Sequence, residues 1–250
     1  MTDASHSNPV SGAPERGVAS ARRATTGTSW RAWAIYAGVL ATFVASLVWW
    51  RQRAPTTGQT LWLVGLMMQT IIRAPWVRAT RQNHIVASRR TTRDTLLLGA
   101  MFLATLLLPL LAVGTPLLDA AELRPPAIVT ACGTIVLAAC LWLFWRSHRD
   151  LGRNWSPTLE VRDAHGLVST GIYSSMRHPM YASIWLGVVA QACLIDNLVP
   201  AAAGPVAMAM MYFGRIAAEE RMLAERFGDE WEAYVSRTGR LWPRRAGAVR

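Results

Sequence analysis

Polar residues in this chain gather into clusters, and between the clusters run uncharged stretches near the length of about 20 residues that a helix needs to cross a hydrocarbon core. Arg31 to Arg51 brackets the first stretch. Arg53 to Arg73 brackets a second, opening on the polar Pro55-Thr56-Thr57-Gly58-Gln59, Asp94 to Asp119 a third, and Arg124 to Arg146 a fourth. Beyond His178 the chain is apolar to Ile195, polar at Asp196-Asn197, and apolar again from Leu198 to Gly214. The pattern predicts an all-α, polytopic integral membrane protein of about six transmembrane helices. The last two are short and closely joined, so they form a C-terminal helical hairpin with its tip near Asp196. No glycine-rich strand-to-helix turn occurs, and a Rossmann domain is not expected. Residues 1–29, rich in Ser, Thr, Ala, Gly and Pro without an apolar core, read as a disordered cytoplasmic tail and not a signal peptide. Residues 30–145 hold four spans on short loops, and residues 146–250 mix polar segments with the hairpin.

Composition agrees with a lipid environment, since 52% of residues are apolar and the mean hydropathy is +0.21. The net charge of +11 changes meaning in that setting. All 26 basic residues are arginine, and with the N-terminus inside, four fall in 1–31, six in 73–94, five in 146–178 and eight in 215–250. Only Arg51, Arg53 and Arg124 fall in outer loops. Such a split is the positive-inside rule and places both termini in the cytoplasm; it argues against nucleic acid as a partner. The loop 73–94, with Arg73, Arg78, Arg81, Arg89, Arg90 and Arg93, is expected to rest on anionic headgroups. Trp33, Trp49, Trp50, Trp62 and Trp76 read as an interfacial aromatic belt. Cys132, Cys140 and Cys193 lie inside predicted spans as packing residues, and no disulfide framework or metal motif is visible.

Chemistry concentrates in residues 151–181, a polar, aromatic and histidine-bearing segment that leads directly into a span. Proline fits the first turn of a helix, so Arg177-His178-Pro179 marks the start of the hairpin. Arg177, His178 and Tyr181 then stand at its cytoplasmic mouth, where free N–H groups and the positive dipole end favour an anion. On the second arm Arg215 and Glu219 are four apart and share a helix face, the spacing of a surface ion pair. Antiparallel arms bring His178 and Glu219 together over one membrane-facing pocket.

The ordered set His165-Gly166-Leu167-Val168, Gly171-Ile172-Tyr173, Arg177-His178-Pro179-Met180-Tyr181, an apolar hairpin, Glu219-Glu220, Leu223, Phe227-Gly228, Trp231, Tyr234 and Leu241-Trp242-Pro243 resembles the isoprenylcysteine carboxyl methyltransferase and phospholipid methyltransferase superfamily. The resemblance covers roughly residues 140–245 and implies a membrane-embedded methyltransferase that binds S-adenosylmethionine without a Rossmann fold. By position it implies cofactor contacts from His165, Gly166, Leu167, Val168, Tyr173, His178, Pro179, Met180, Tyr181 and Glu219. Arg215 falls where the carboxyl methyltransferases hold the substrate end, which makes it the candidate catalytic residue; no metal is implied. Eukaryotic members place a glutamine before the His-x-Leu-Val stretch, where this chain's nearest equivalent is Thr158. In such a site Glu219 would accept hydrogen bonds from the cofactor, Tyr173 and Tyr181 would wall the adenine or sulfonium, and amides by Pro179 would suit its carboxylate. The expected acceptor is lipophilic, a small molecule or a lipidated protein reached from the membrane lipids, methylated on a carboxyl as in isoprenylcysteine. Three alternatives remain open. They are phospholipid N-methylation, which needs a neutral amine and a proton route; an NADPH-dependent reductase of the sterol-reductase type, whose C-terminal pattern is partly similar; and a transporter or scaffold, which the near absence of charge in the spans disfavours.

Overall fold

The computed structural model describes Gly38, Ala41 and residues 55–80, 85–88, 91–152, 160–162 and 166–244. The expected tail, nearly all of the first span and Thr158 lie outside the described residues. Every element below belongs to one compact unit, Gly38–Arg250. The elements are α1 (Thr57–Thr80), β1 (Ile85–Ser88), α2 (Thr92–Gly114), α3 (Ala127–Leu151), β2 (Glu160–Arg162), α4 (Pro179–Leu194), α5 (Leu198–Phe227) and α6 (Asp229–Arg237). Among the described residues the fold is helical apart from a short antiparallel ribbon of β1 and β2.

Among the described residues three helices, α2, α3 and α5, are long and apolar enough to cross a membrane; α4 is apolar but has 16 residues. The second predicted span corresponds to α1, which starts later than its charge boundary and is not among the helices long and apolar enough to cross a membrane. Thr56 and Gln59 form a reciprocal cap, with Gln59 N–H donating to Thr56 Oγ1 at 3.2 Å and Thr56 N–H to Gln59 Oε1 at 3.3 Å. The polar opening of that stretch is therefore a helix start and not part of a span. Thr91 and Asp94 cap α2 in the same way.

Helix α3 packs along α4, α4 against α5, α1 against α3, and α2 against α5. One core cluster joins Met101, Tyr181, Val188, Met208 and Met211, and another joins Trp62, Leu110, Leu137, Ala190 and Leu194. Trp62 thus corrects an expectation: it is 6% exposed in the core, not in an interfacial belt. The cause is close packing at the start of α1, where a Cβ on Gly58 would collide with the Leu194 carbonyl. Val64, Ile71, Leu96, Ile135, Val206 and Phe213 face outward from their helices, the surface that lipid would cover.

Helix α2 contains a π turn at Leu103–Leu107, in which Leu108 N–H reaches back to the Leu103 carbonyl. The next residue, Pro109, has no N–H, so the Ala104 carbonyl loses both its α and its π partner. Gln191 of α4 supplies the missing donor at 3.0 Å and donates also to the Pro200 carbonyl of α5 at 2.8 Å. One buried amide thereby ties three helices together.

The hairpin forms as expected, with Ile195 to Asn197 between its arms. Its tip is covered: Asp196 is buried, its carbonyl accepts Leu123 N–H at 2.9 Å, and Asn197 Nδ2 donates to the Leu118 carbonyl at 2.7 Å. Asn197 also caps α5 through Val199 N–H. The second arm does not stop near Gly214 but continues as α5 to Phe227, carrying Arg215 and Glu219 on an unbroken helix.

Candidate active site

The approach to α4 is built by short local devices. Gly171 has φ +60°, and a Cβ there would run into the Asp150 carboxylate. That carboxylate, at the end of α3, accepts Ile172 N–H at 2.7 Å and pairs with Arg146 at 3.1 Å. The turn Gly171–Ser174 so held delivers Tyr173 into the interior, where its carbonyl accepts the Tyr234 hydroxyl of α6 at 2.7 Å. Burial pushes the Tyr173 phenol up, and Tyr234 adds to the effect. Burial likewise pushes Tyr234 up to about 12, against the pull of Arg177 and Arg237. Both are neutral phenols at physiological pH.

A C-terminal strap then crosses the entrance. Arg177 N–H donates to the Gly239 carbonyl at 2.8 Å, His178 N–H to the Arg240 carbonyl at 3.0 Å, and Gly239 N–H to the Ser175 carbonyl at 3.0 Å. Arg177 is turned to this strap as well, with Nη1 donating to the Thr238 carbonyl at 2.6 Å and Nε 3.4 Å from Glu220 Oε1. Arg177, expected at the helix mouth, thus braces the strap with its guanidinium while lining the cavity.

Two adjacent glutamates divide the remaining work. Consecutive helix residues point about 100° apart, so they face different partners. Glu219 accepts the Tyr181 hydroxyl on Oε2 at 2.9 Å, and its Oε1, 4.0 Å from His178 Nδ1, takes no hydrogen bond among the described residues. Glu220 faces the strap, 3.2 Å from His178 Nε2, and accepts from Arg240 Nε at 3.0 Å and Nη2 at 2.5 Å. These hydrogen bonds raise the Arg240 guanidinium above its ordinary range. A carboxylate acceptor at Nε2 keeps a proton there and fixes the His178 ring. The sequence reading assigned no role to Glu220; its place beside Glu219 was the available signal.

Arg215 lies one turn deeper on α5, 7% exposed. Its acidic partner is not Glu219, as the four-residue spacing suggests, but Asp94 of α2, with Nε 3.6 Å from Asp94 Oδ1.

Tyr173, Arg177, His178, Tyr181, Arg215, Glu219 and Tyr234 border one cavity of about 620 Å³, with Glu220, Arg240 and Asp94 outside its lining. Gly166, Leu167, Val168 and Tyr173 line it from the segment before α4, His178, Pro179, Met180 and Tyr181 from the α4 start, and Glu219 and Arg215 from α5. His165 lies outside the described residues. Trp231 and Tyr234 of α6 close the polar end, while Trp62, Leu137 and Gln191 line the part that runs between helices. The volume falls within the roughly 300–1,000 Å³ of small-molecule sites. Its open carboxylate oxygen and aromatic faces suit a cationic, hydroxyl- or amino-bearing group, whereas the first amides of α4, which have no acceptor within the helix, suit an anionic one. Among the described residues no group of three or more His, Cys, Asp or Glu is placed to hold a metal ion.

Residues 130–225 match the sequence profile of the isoprenylcysteine carboxyl methyltransferase (ICMT) family. The chain is 34% identical over 95 residues to a nickel-cobalt-cadmium resistance protein, NccN, of Alcaligenes xylosoxydans xylosoxydans, covering 38% of this chain and 44% of that protein. It is 31% identical over 88 residues to protein-S-isoprenylcysteine O-methyltransferase B of Arabidopsis thaliana, covering 34% and 45%. With protein-S-isoprenylcysteine O-methyltransferase A of the same plant it shares 26% identity over 153 residues, covering 60% and 78%. The chain thus spans less than half the length of the first relatives it matches. The stretch that matches the isoprenylcysteine carboxyl methyltransferase profile holds α4, most of α3 and α5, and the walls they give the cavity.

Proposed function

We propose that this protein is an integral membrane S-adenosylmethionine-dependent methyltransferase acting on a lipophilic acceptor, by carboxyl O-methylation of the isoprenylcysteine type. The observation that carries the reading is the meeting of Gly166–Val168, Tyr173, His178–Tyr181, Glu219 and Arg215 around one cavity that combines a polar end with an apolar extension between helices. When bound, S-adenosylmethionine supplies an electrophilic methyl group on a sulfonium whose neutral thioether is the leaving group. Glu219 would accept from its hydroxyl or amino groups, Tyr173 and Tyr181 would wall it, and the α4 amides by Met180 would receive its carboxylate.

With the donor held in this way, the chain's residues would hold an acceptor carboxylate in line with the methyl group that the cofactor would supply. No proton moves, because the attacking oxygen is already anionic. The residues therefore contribute orientation and exclusion of water more than acid–base chemistry. Arg215, one turn below Glu219, offers a planar fork to the acceptor's carboxylate, and the apolar extension takes its lipid chain. Both termini and the 146–178 segment are assigned to the cytoplasmic side from the arginine distribution.

The test is binding of S-adenosylmethionine against NADPH to the detergent-solubilised protein, followed by transfer of labelled methyl to N-acetyl-S-farnesylcysteine. Binding of S-adenosylmethionine and a base-labile methyl ester are expected. Binding of NADPH alone overturns the reading in favour of a reductase, and an alkali-stable methylamine product overturns the carboxyl assignment.

A further inference from the structure

The acid that meets Arg215 is itself rigidly held. Asp94 Oδ2 accepts Thr91 N–H at 3.0 Å and the Thr91 hydroxyl at 2.8 Å, and Asp94 N–H donates back to Thr91 Oγ1 at 3.1 Å. One carboxylate oxygen is thus committed to the start of α2, and the other faces Arg215 Nε. The two helices come close at this level because residue 214 lacks a side chain: a Cβ on Gly214 would stand 2.9 Å from Leu97 Cδ1 and 3.4 Å from Arg93 Nη2. Arg215 Nε is buried with no hydrogen-bond partner among the described residues, so the 3.6 Å contact is electrostatic and not a closed fork.

A guanidinium has two edges that can grip a carboxylate, one through Nε and one through the two Nη atoms. An anion fixed on the Nε side occupies the first and leaves the second to a ligand in the cavity that Arg215 lines. A buried arginine without a counter-charge would be costly and would turn toward any other acceptor nearby, and Glu219 is one turn away. Resting on the proposed methylation of a carboxylate, we propose that Asp94 is a positioning residue that holds the Arg215 guanidinium off Glu219 and aims its Nη edge at the acceptor. Asp94 lies outside residues 130–225, so the orientation of the site's arginine is set from a part of the chain that the family match does not cover.

Asp94→Asn removes the charge while keeping the size of the side chain and an acceptor oxygen for Thr91. Thr56→Ala makes a comparable lesion at the start of α1, away from the site, and serves as the control for a lost helix cap. With purified protein in detergent, S-adenosylmethionine and N-acetyl-S-farnesylcysteine, Asp94→Asn should lower kcat roughly tenfold to a hundredfold, the size expected of a misaimed group. Its Kd for S-adenosylmethionine should stay within about twofold of wild type, as should the turnover of Thr56→Ala. In an Arg215→Lys background, Asp94→Asn should cause no further loss, because the two act as a unit. Should Asp94→Asn fail to fold, Asp94→Glu retains the charge one methylene further out and is expected to show an intermediate kcat. Turnover of the Asp94 variants equal to that of Thr56→Ala, or a full additional loss on Arg215→Lys, overturns the inference. A wild-type protein that binds S-adenosylmethionine but leaves the prenylcysteine unmethylated also overturns it while leaving the donor site standing, whereas one that binds no S-adenosylmethionine overturns the proposed function as well.

Discussion

His178 and Glu219 are the two side chains whose loss separates a cofactor site from a packing feature. Glu219 keeps Oε1 open to the cavity, and His178, 5% exposed, is locked between Glu220 and the edge of the Tyr181 ring. Glu219→Gln and His178→Ala should each raise the Kd for S-adenosylmethionine by roughly ten- to a hundredfold, the loss of about 1.5–3 kcal/mol expected of a hydrogen bond to a charged group. Unchanged affinity in both variants would remove the site. Glu220 should behave differently, since it serves Arg177, His178 and Arg240 together. Glu220→Ala should destabilise the fold by about 1–3 kcal/mol, seen as a lower unfolding temperature in detergent. A Glu220→Ala protein as stable as Glu219→Gln would mean that the strap is held by its backbone bonds alone.

Among the elements, the π turn of α2 and the glutamine of α4 belong together. Gln191→Leu leaves the Ala104 and Pro200 carbonyls without their donor and should cost about 1–2 kcal/mol, the range for hydrogen bonds between membrane helices. Thermal unfolding in detergent would show it, with S-adenosylmethionine affinity retained, because Gln191 lines the far part of the cavity. No loss of stability would indicate that the π turn closes on itself without α4. The turn Gly171–Ser174 makes a second elemental test. Gly171→Ala combines a positive φ with a clash against Asp150, and should destabilise by at least about 1 kcal/mol while loosening Tyr173.

For the whole molecule the decisive question is orientation in the bilayer. In a background with Cys132, Cys140 and Cys193 replaced by serine, Leu117→Cys between α2 and α3 and Trp242→Cys on the strap offer exposed reporters at 73% and 80%. Asp196, though it marks the hairpin tip, is covered by the Leu118–Leu123 segment and would label poorly. A membrane-impermeant thiol reagent should reach Trp242→Cys only from the cytoplasmic side and Leu117→Cys only from the opposite side. Labelling of both from one side would refute the proposed topology.

The order of polar and apolar residues determined the helical class, the hairpin between His178 and Gly214, and the start of α4 at Pro179, because bilayer length, uncharged runs and a first-turn proline act locally along the chain. Two capping pairs, Thr56 with Gln59 and Thr91 with Asp94, stand in the sequence but were not legible from charge boundaries, which mark where apolar runs end and not where helices start. The motif residues were legible as an ordered set, and the antiparallel hairpin accounts for the meeting of His178, Tyr181 and Glu219 at one cavity. What the tertiary structure decided was partnership. Four-residue spacing joins Arg215 to Glu219, yet close approach of α2 at Gly214 gives Arg215 to Asp94 and leaves Glu219 to Tyr181. Trp62 lies inside because Gly58 lets α1 close on Leu194, and Gln191 is committed to a carbonyl that exists only because a π turn precedes Pro109. Local spacing names only neighbours one turn away, whereas the choice among buried charges depends on which helices come close enough to exclude water, and that is a property of the packed molecule.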